Sequence, residues 1–120
     1  MQMRHMTASK SMKHYAAGDI LLLSFAFTDG TAVKRRPALV LMDTGDEDIV
    51  VVRVTSQPPQ TSFDIELLDW KKAGLLFPSV VRIHKVATLE KQLVERKLGK
   101  LTRRDWNNVR AIIRQLWSSL

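Results

Sequence analysis

The chain of 120 residues contains no cysteine and only three histidines, which excludes several kinds of site. Without cysteine there is neither a disulfide framework nor a catalytic thiolate, and three scattered histidines do not provide the ligands of a zinc site. The acidic stretch over residues 43–48 lacks the glycine and the distal glutamate of an EF-hand loop, so we interpret it as a solvated turn. We expect no metal and no cofactor.

Long apolar runs are missing as well. The longest covers residues 20–27, less than half of what a bilayer-spanning helix needs, and no apolar signal core precedes it. The sequence therefore predicts a soluble protein without a membrane partner. A chain without cysteine suits a reducing compartment, and we expect a cytoplasmic location.

Negative charge is the scarcer sign. Twelve Asp and Glu residues stand against 19 Lys and Arg residues, which gives a formal net charge of +7. Such a surplus favours polyanionic partners such as RNA, DNA or an acidic peptide. Charge alone does not choose among them, and a basic surface that serves solubility only is the alternative.

The N-terminal stretch has few apolar anchors. Residues 1–15 hold four methionines and several basic residues, so we predict a mobile extension there, with Met12 as an alternative start. Residues 16–120 are enough for one domain, which buries roughly two-thirds of its unfolded surface at this size.

Three apolar segments, over residues 20–27, 38–42 and 49–54, predict three strands of one small sheet. The first is apolar on both faces, and the polar residues 28–35 predict a hairpin loop. Pro37 is expected at the first position of the second strand or on an edge, because it has no N–H to donate. The cations of residues 34–36 then lie at a strand end, close to Thr55 and Ser56, in an arrangement suited to phosphate.

The second half of the chain predicts two shorter strands, over residues 63–67 and 79–86, with one helical turn over 69–74 between them. Arg82 and His84 share a side of the later strand; His84 is a weak candidate for a general base. A further short strand ends near Gly99. A long helix follows, with Thr102 as N-cap and Asp105 three residues on, and its apolar stripe comprises Trp106, Val109, Ile113, Leu116 and Trp117.

Several motifs, taken in order and spacing, resemble the PemK/MazF family, the toxins of type II toxin–antitoxin pairs. The match runs from about Gly18 to Trp117. Its pieces are residues 18–20, 25–29, 34–41, 50–56, 74–75, 78–82 and 98–101. Any one piece alone is a weak signal, whereas the whole set is specific.

The resemblance implies a mainly β fold with a C-terminal helix, an SH3-like β-barrel of the PemK/MazF/CcdB type, which is usually a homodimer. It also implies metal-independent cleavage of single-stranded RNA at short sequences. The family's arginine before the proline of its Arg-Pro motif falls on Arg36, and its threonine at the end of the third strand falls on Thr55. These are the expected catalytic residues. A cognate antitoxin is the expected partner, with operator DNA reached through the antitoxin complex.

Around this pair we expect further contacts to RNA. The candidate RNA-binding residues are Asp29, Lys34, Arg35, Arg53, Ser56, Gln57 and Arg82. Two of them depart from the family: many members have proline or a small residue in place of Arg53, and some have a polar residue or histidine in place of Arg35. The extra cations would tighten phosphate contact or alter base preference, and the general base stays unassigned.

The alternative function is binding without cleavage. A gyrase-inhibiting toxin, a nucleic-acid-binding toxin or a DNA-binding modulator of the same fold would use the same positive surface, since a fold does not fix a function.

Overall fold

The computed structural model describes residues 13–26 and 32–120 of the chain. Six strands form one antiparallel sheet in the order β4-β5-β3-β2-β1-β6, and a helix closes the chain. Their bounds are β1 Asp19–Ala26, β2 Val33–Asp43, β3 Asp48–Thr55, β4 Asp64–Glu66, β5 Val80–Glu90, β6 Val94–Lys100 and α1 Arg103–Ser118, with a 3₁₀ turn at Lys91–Leu93. The expected class, a mainly β SH3-like fold with a C-terminal helix, is confirmed.

The central strands bury side chains on both faces, as the apolar sequence of β1 predicts. Alternate residues of one strand enter different cores: Ile20 belongs to the core beneath α1, and Leu21 belongs to the core on the other face. Leu39 and Val40 divide in the same way.

The helix α1 begins as predicted. The hydroxyl of Thr102 accepts the N–H of Asp105 at 3.4 Å and donates to Oδ2 of Asp69 at 2.6 Å. Of the predicted apolar stripe, Trp106, Val109, Ile113 and Leu116 pack on the core beneath the helix. Trp117 does not pack on this core, since its side chain is 69% exposed. Ile112, which is not in the predicted stripe, packs on the core instead. In the described part of the chain, no helix has the length and apolar character to cross a bilayer.

The predicted start of β2 is wrong by several residues. The strand begins at Val33, since its ladder with β1 continues to the pair Ala26–Val33. The basic residues 34–36 therefore lie inside the strand, and the join between β1 and β2 is shorter than the predicted loop over 28–35. Pro37 also lies inside β2, opposite Leu22, but β3 pairs with β2 only from Ala38 onward.

The acidic turn after β2 is not simply solvated. The carboxylate of Asp43 is buried, binds Nζ of Lys91 at 2.9 Å and accepts the N–H of Tyr15 at 2.8 Å. Burial by itself would raise the pKa of Asp43, but the N–H groups of Tyr15 and Gly45 and the ammonium of Lys91 hold it below its ordinary value. Tyr15 is thereby attached to the sheet. Residues 1–12 of the predicted extension lie outside the described residues.

Asp105 has a larger role than the predicted capping contact. Its side chain is 1% exposed, and its two oxygens accept the N–H groups of Leu68 at 2.9 Å and Asp69 at 2.8 Å. The first turn of α1 is thus joined to the turn that follows β4. On the outer side, hydrogen bonds from Arg104 and Thr102 lower the pKa of Asp69 to about 2.

Replacing this buried carboxylate should cost stability. We expect Asp105→Ala to lower the free energy of unfolding by about 2 kcal/mol or more, because two N–H groups lose their acceptor. Asp105→Asn keeps one acceptor oxygen and should lose less. Urea denaturation measures both, with Asn108→Ala on the exposed side of α1 as the control. Equal stabilities of Asp105→Ala and the control would contradict this role.

Candidate functional site

Strands β2 and β3 separate at one end, and the separation creates a groove. Their last pair is Ala38–Arg53. If the same register continued for two more residues, Arg36 would lie opposite Thr55. Beyond Arg53, however, β3 stays paired with β5 up to Thr55–Val80, while β2 stays paired with β1 at Arg36–Leu23. Pro37 offers no N–H at the point where the next pair would form. Arg36 and Thr55 thus occupy matching positions on the two sides of an opening.

The groove at this opening has a volume of about 650 Å³. Arginines from three strands line it, and among the described residues no carboxylate does. The lining residues include the four arginines Arg35, Arg36, Arg53 and Arg96, the hydroxyl and amide residues Thr55, Ser56, Gln57 and Ser79, and the apolar residues Leu22, Val54, Leu75, Leu76, Phe77 and Leu98. A cationic lining of this kind attracts anions.

The two predicted catalytic residues keep donor groups available. Thr55 is half-buried at the end of β3, and its Oγ1 accepts the N–H of Gln57 at 3.2 Å. That bond occupies a lone pair and leaves the hydroxyl proton for another acceptor. Arg36 is exposed, and one of its terminal nitrogens donates to the carbonyl of Arg35 at 3.0 Å. A guanidinium has five N–H donors in one plane, so an edge of this group can still bind two oxygens of one anion.

Arg35 is oriented by a carboxylate behind the groove. Its Nε donates to Oε1 of Glu95 at 2.7 Å, and the two side chains are 55% and 35% exposed. The pair joins β2 to β6 across β1. Glu95 does not itself line the groove, but its ion pair offsets part of the charge that Arg35 brings to the lining.

The structure brings together most of the predicted RNA-binding residues. Arg35, Arg53, Ser56 and Gln57 line the groove with Arg36 and Thr55. Lys34 is exposed on β2 and lies outside the lining. Asp29 falls in the residues that the structure leaves undescribed.

Arg82 is engaged elsewhere. It does not line the groove, and its Nε donates to the buried carboxylate of Asp64 at 3.2 Å. His84 lies on the same side of β5, as predicted, with Nδ1 3.9 Å from Oδ1 of Asp64 and its ring 6.3 Å from the Phe63 ring. His84 does not line the groove either, so within the described residues the groove contains no histidine.

Arg96 is the site residue that the sequence analysis missed. It enters the groove because β6 pairs with β1, where Arg96 lies opposite Leu22. That pairing joins residues more than 70 positions apart and leaves no local pattern in the sequence. The consecutive charged residues Glu95, Arg96 and Lys97 indicate an exposed segment, but the pairing partner of β6 is set by tertiary structure.

The apolar wall of the groove depends on a backbone contact between two glycines. The turn at Gly74 lies directly on β6: a Cβ at Gly74 would come within 2.1 Å of the Leu98 carbonyl oxygen, and one at Gly99 within 2.4 Å of the Ala73 carbonyl oxygen. Gly74 also has a φ of +88°, which favours glycine. This contact fixes where residues 75–77 emerge beside the arginines.

The chemistry of the groove follows from its donors. Guanidinium groups and a hydroxyl converge on a space without a competing carboxylate, so the site suits a phosphate group whose negative charge increases during a reaction. The apolar wall suits a partner that has flat apolar surfaces as well as negative charge.

Comparison with known proteins gives a family and a fold. Residues 16–117 match the sequence profile of a family described as PemK-like, MazF-like toxins of type II toxin–antitoxin systems. No curated protein sequence matches the chain. Similar solved structures include an endoribonuclease in complex with its cognate antitoxin from a mycobacterial species, with a TM-score of 0.70 and 16% identity over 88% of this chain and 96% of that one.

Two other structures give the same result. A MazE–MazF structure from Deinococcus radiodurans has a TM-score of 0.71 and 22% identity, over 89% of this chain and 98% of that one. The Mycobacterium tuberculosis toxin MazF-mt6 has a TM-score of 0.64 and 18% identity, over 82% and 96%. At these identities the likeness establishes the fold.

The glycine contact can be tested against a matched glycine. Gly45 has nearly the same φ, +87°, but a Cβ there would meet nothing within 4 Å. We expect Gly45→Ala to cost about 1 kcal/mol through the backbone alone, and Gly74→Ala to cost about 1–3 kcal/mol more because the turn must move away from β6. Urea denaturation of the two variants measures the difference. Equal losses would show that the close approach adds nothing.

Proposed function

The chain belongs to the family of PemK-like, MazF-like toxins of type II toxin–antitoxin systems, and on that premise we propose that it is a metal-independent, sequence-specific endoribonuclease that cleaves single-stranded RNA. The observation that carries the proposal is the position of Arg36 and Thr55 on the two sides of the opening between β2 and β3, in a groove lined by four arginines. The similar mycobacterial structures are those of endoribonucleases, which supports it.

The reaction uses a nucleophile that the RNA itself supplies. The 2′-oxygen attacks the adjacent phosphorus and the bond to the 5′-oxygen breaks, which leaves a 2′,3′-cyclic phosphate and a 5′-hydroxyl end. The attacking hydroxyl loses a proton, and the leaving oxygen gains one. Since substrate and nucleophile are one molecule, the protein has to align them and stabilise the charge on the phosphorus oxygens.

Arg36 and Thr55 have distinct roles in this scheme. The guanidinium of Arg36 binds two oxygens of the scissile phosphate and stabilises the negative charge of the transition state. A guanidinium supplies donors and no acceptor, so we do not assign Arg36 as the base. The hydroxyl proton of Thr55, which the bond from Gln57 leaves available, is donated to a phosphate oxygen or orients the 2′-hydroxyl.

Neighbouring residues hold the strand on either side of the cut. Arg35, Arg53, Ser56 and Gln57 contact the RNA within the groove, and Lys34 extends the cationic strip along β2. Arg35 is the best oriented of the arginines because Glu95 holds its side chain. Arg82 is bound to Asp64 and is not part of this contact set.

Cleavage of a long RNA in EDTA tests the proposal. We expect mapped products with cyclic phosphate ends from the purified protein. Arg36→Ala should lower kcat by about 10²–10³-fold through loss of a charged donor, and Thr55→Val should lower it by at least about 10-fold. Arg110→Ala is the matched control, because it removes the same charge from the exposed side of α1.

Two outcomes would contradict a metal-independent nuclease. One is cleavage that requires magnesium. The other is intact RNA together with tight binding of DNA or a topoisomerase, which would favour a toxin that binds without cutting.

The partner that we propose is a cognate antitoxin with an acidic or amphipathic segment. Two of the similar structures are described as complexes with antitoxins. An acidic segment that entered the groove would neutralise its arginines and cover Arg36. The antitoxin would then inhibit the nuclease both by neutralising the positive charge and by blocking access of RNA to the groove. The same family membership leads to a homodimer, a cytoplasmic location and contact with operator DNA through the antitoxin complex.

Co-purification with the product of the neighbouring gene tests the partner. We expect a small acidic protein to bind, and Arg36→Ala combined with Arg53→Ala to weaken binding at least 10-fold in calorimetry, whereas Arg110→Ala leaves it unchanged. The absence of any bound protein, or equal binding by the groove variant and the control, would contradict a groove-occupying antitoxin.

A further inference from the structure

The loop between β4 and β5 exposes two large apolar side chains beside the arginines. Leu76 is 83% exposed and Phe77 is 65% exposed, although both line the groove. Their neighbour Leu75 is buried in the core beneath α1. The chain thus turns one leucine inward and the next two residues outward, toward the space that the cations face.

This loop is firmly held. Gly74 lies against the backbone of β6, and the N–H of Leu75 donates to the carbonyl of Trp70 at 3.1 Å. On the other side, the hydroxyl of Ser79 donates to the Phe77 carbonyl at 2.7 Å, and the Ser79 carbonyl accepts the N–H of Leu67 at 2.9 Å. The exposure of Phe77 is therefore set by the fold. A rigid aromatic ring is an economical contact residue, since little side-chain freedom is lost when a ligand covers it.

The composition of the groove restricts what covers this ring. A partner must supply negative charge to the arginines and a flat apolar face to Phe77 at once. An unpaired nucleotide does both, through its phosphate and its base. A duplex does not, because each base is already stacked between its neighbours.

We propose that Phe77 is the base-stacking residue of the groove: it stacks on an unpaired base close to the phosphate that Arg36 and Thr55 hold, with Leu76 packed beside it. This inference rests on the proposed ribonuclease function and adds a residue that makes the groove prefer single-stranded over double-stranded RNA. It explains a demand for single-stranded RNA, because only an unpaired base presents its face.

Variants at one position separate stacking from apolar contact. The probe is the oligonucleotide that spans the mapped cleavage site, with a 2′-O-methyl group at the attacking position so that it is bound and not cut. We expect Phe77→Tyr to bind like the parent protein in fluorescence anisotropy. Phe77→Leu, which keeps the apolar surface and loses the ring, should bind about 5- to 150-fold more weakly, the factor of one lost base stack.

Leu68→Ala is the control, since Leu68 is 55% exposed and does not line the groove. It should bind the oligonucleotide like the parent, and circular dichroism should show that all variants are folded.

A second arm identifies the stacked base. Each nucleotide of the probe is replaced in turn by an abasic residue. At one position next to the cleaved bond, the abasic replacement should weaken binding to the parent protein. The same replacement should leave binding to Phe77→Leu almost unchanged, because that variant has already lost the stacking contact.

The outcomes distinguish this inference from the function it rests on. If the parent protein cuts RNA and Phe77→Leu binds the probe equally well, stacking is refuted and the nuclease stands. If Phe77→Leu loses antitoxin binding or self-association instead of RNA binding, the two apolar residues form a protein-docking surface and the inference is refuted. A parent protein that neither cuts nor binds RNA would refute both.

Discussion

The separation of β2 from β3 beyond the pair Ala38–Arg53 is the constraint on which the site depends. Each strand has a second neighbour, β1 for β2 and β5 for β3, and each follows that neighbour when the two diverge. An opening between two paired strands is more rigid than a loop of the same size, because the backbone on both sides remains hydrogen-bonded. Arg36 and Thr55 gain their matching positions from the register of the ladder.

The remaining walls come from long-range contacts. Strand β6 brings Arg96 into the lining, and the contact of Gly74 with Gly99 of the same strand brings the exposed residues Leu76 and Phe77 there. Carboxylates near the site are used elsewhere: Glu95 binds Arg35 from behind, and Asp64 binds Arg82 outside the groove. Negative charge thus orients cations without entering the lining. The result combines a cationic strip with an apolar wall in one groove.

The sequence predicted the parts of this structure that depend on local patterns. Apolar runs located the three central strands, and the Thr102 cap and the helical spacing of Trp106 and Val109 located α1. The Arg-Pro pair and the end of the third apolar run led to Arg36 and Thr55 through their resemblance to a known family.

Contacts between distant residues were beyond such patterns. Nothing local shows that β6 lies beside β1, so Arg96 was missed. Nor does composition show that Asp43 and Asp105 are buried: a carboxylate in a polar turn and one in a first helical turn look alike whether they face solvent or accept backbone N–H groups. Local rules treat Pro37 as a strand breaker, so the sequence predicts the start of β2 too late. In the structure, the edge of β2 that faces β3 is unpaired at Pro37, and no N–H donor is needed there.

The central claim is that one phosphate of an RNA strand lies between Arg36 and Thr55. A crystal structure of the protein with an uncleavable oligonucleotide, carrying a 2′-deoxy sugar at the cleaved position, tests it most directly. The account predicts that the scissile phosphate accepts hydrogen bonds from the Arg36 guanidinium and the Thr55 hydroxyl, within about 3 Å of each. An oligonucleotide bound on another surface, with both side chains facing only solvent, would contradict it.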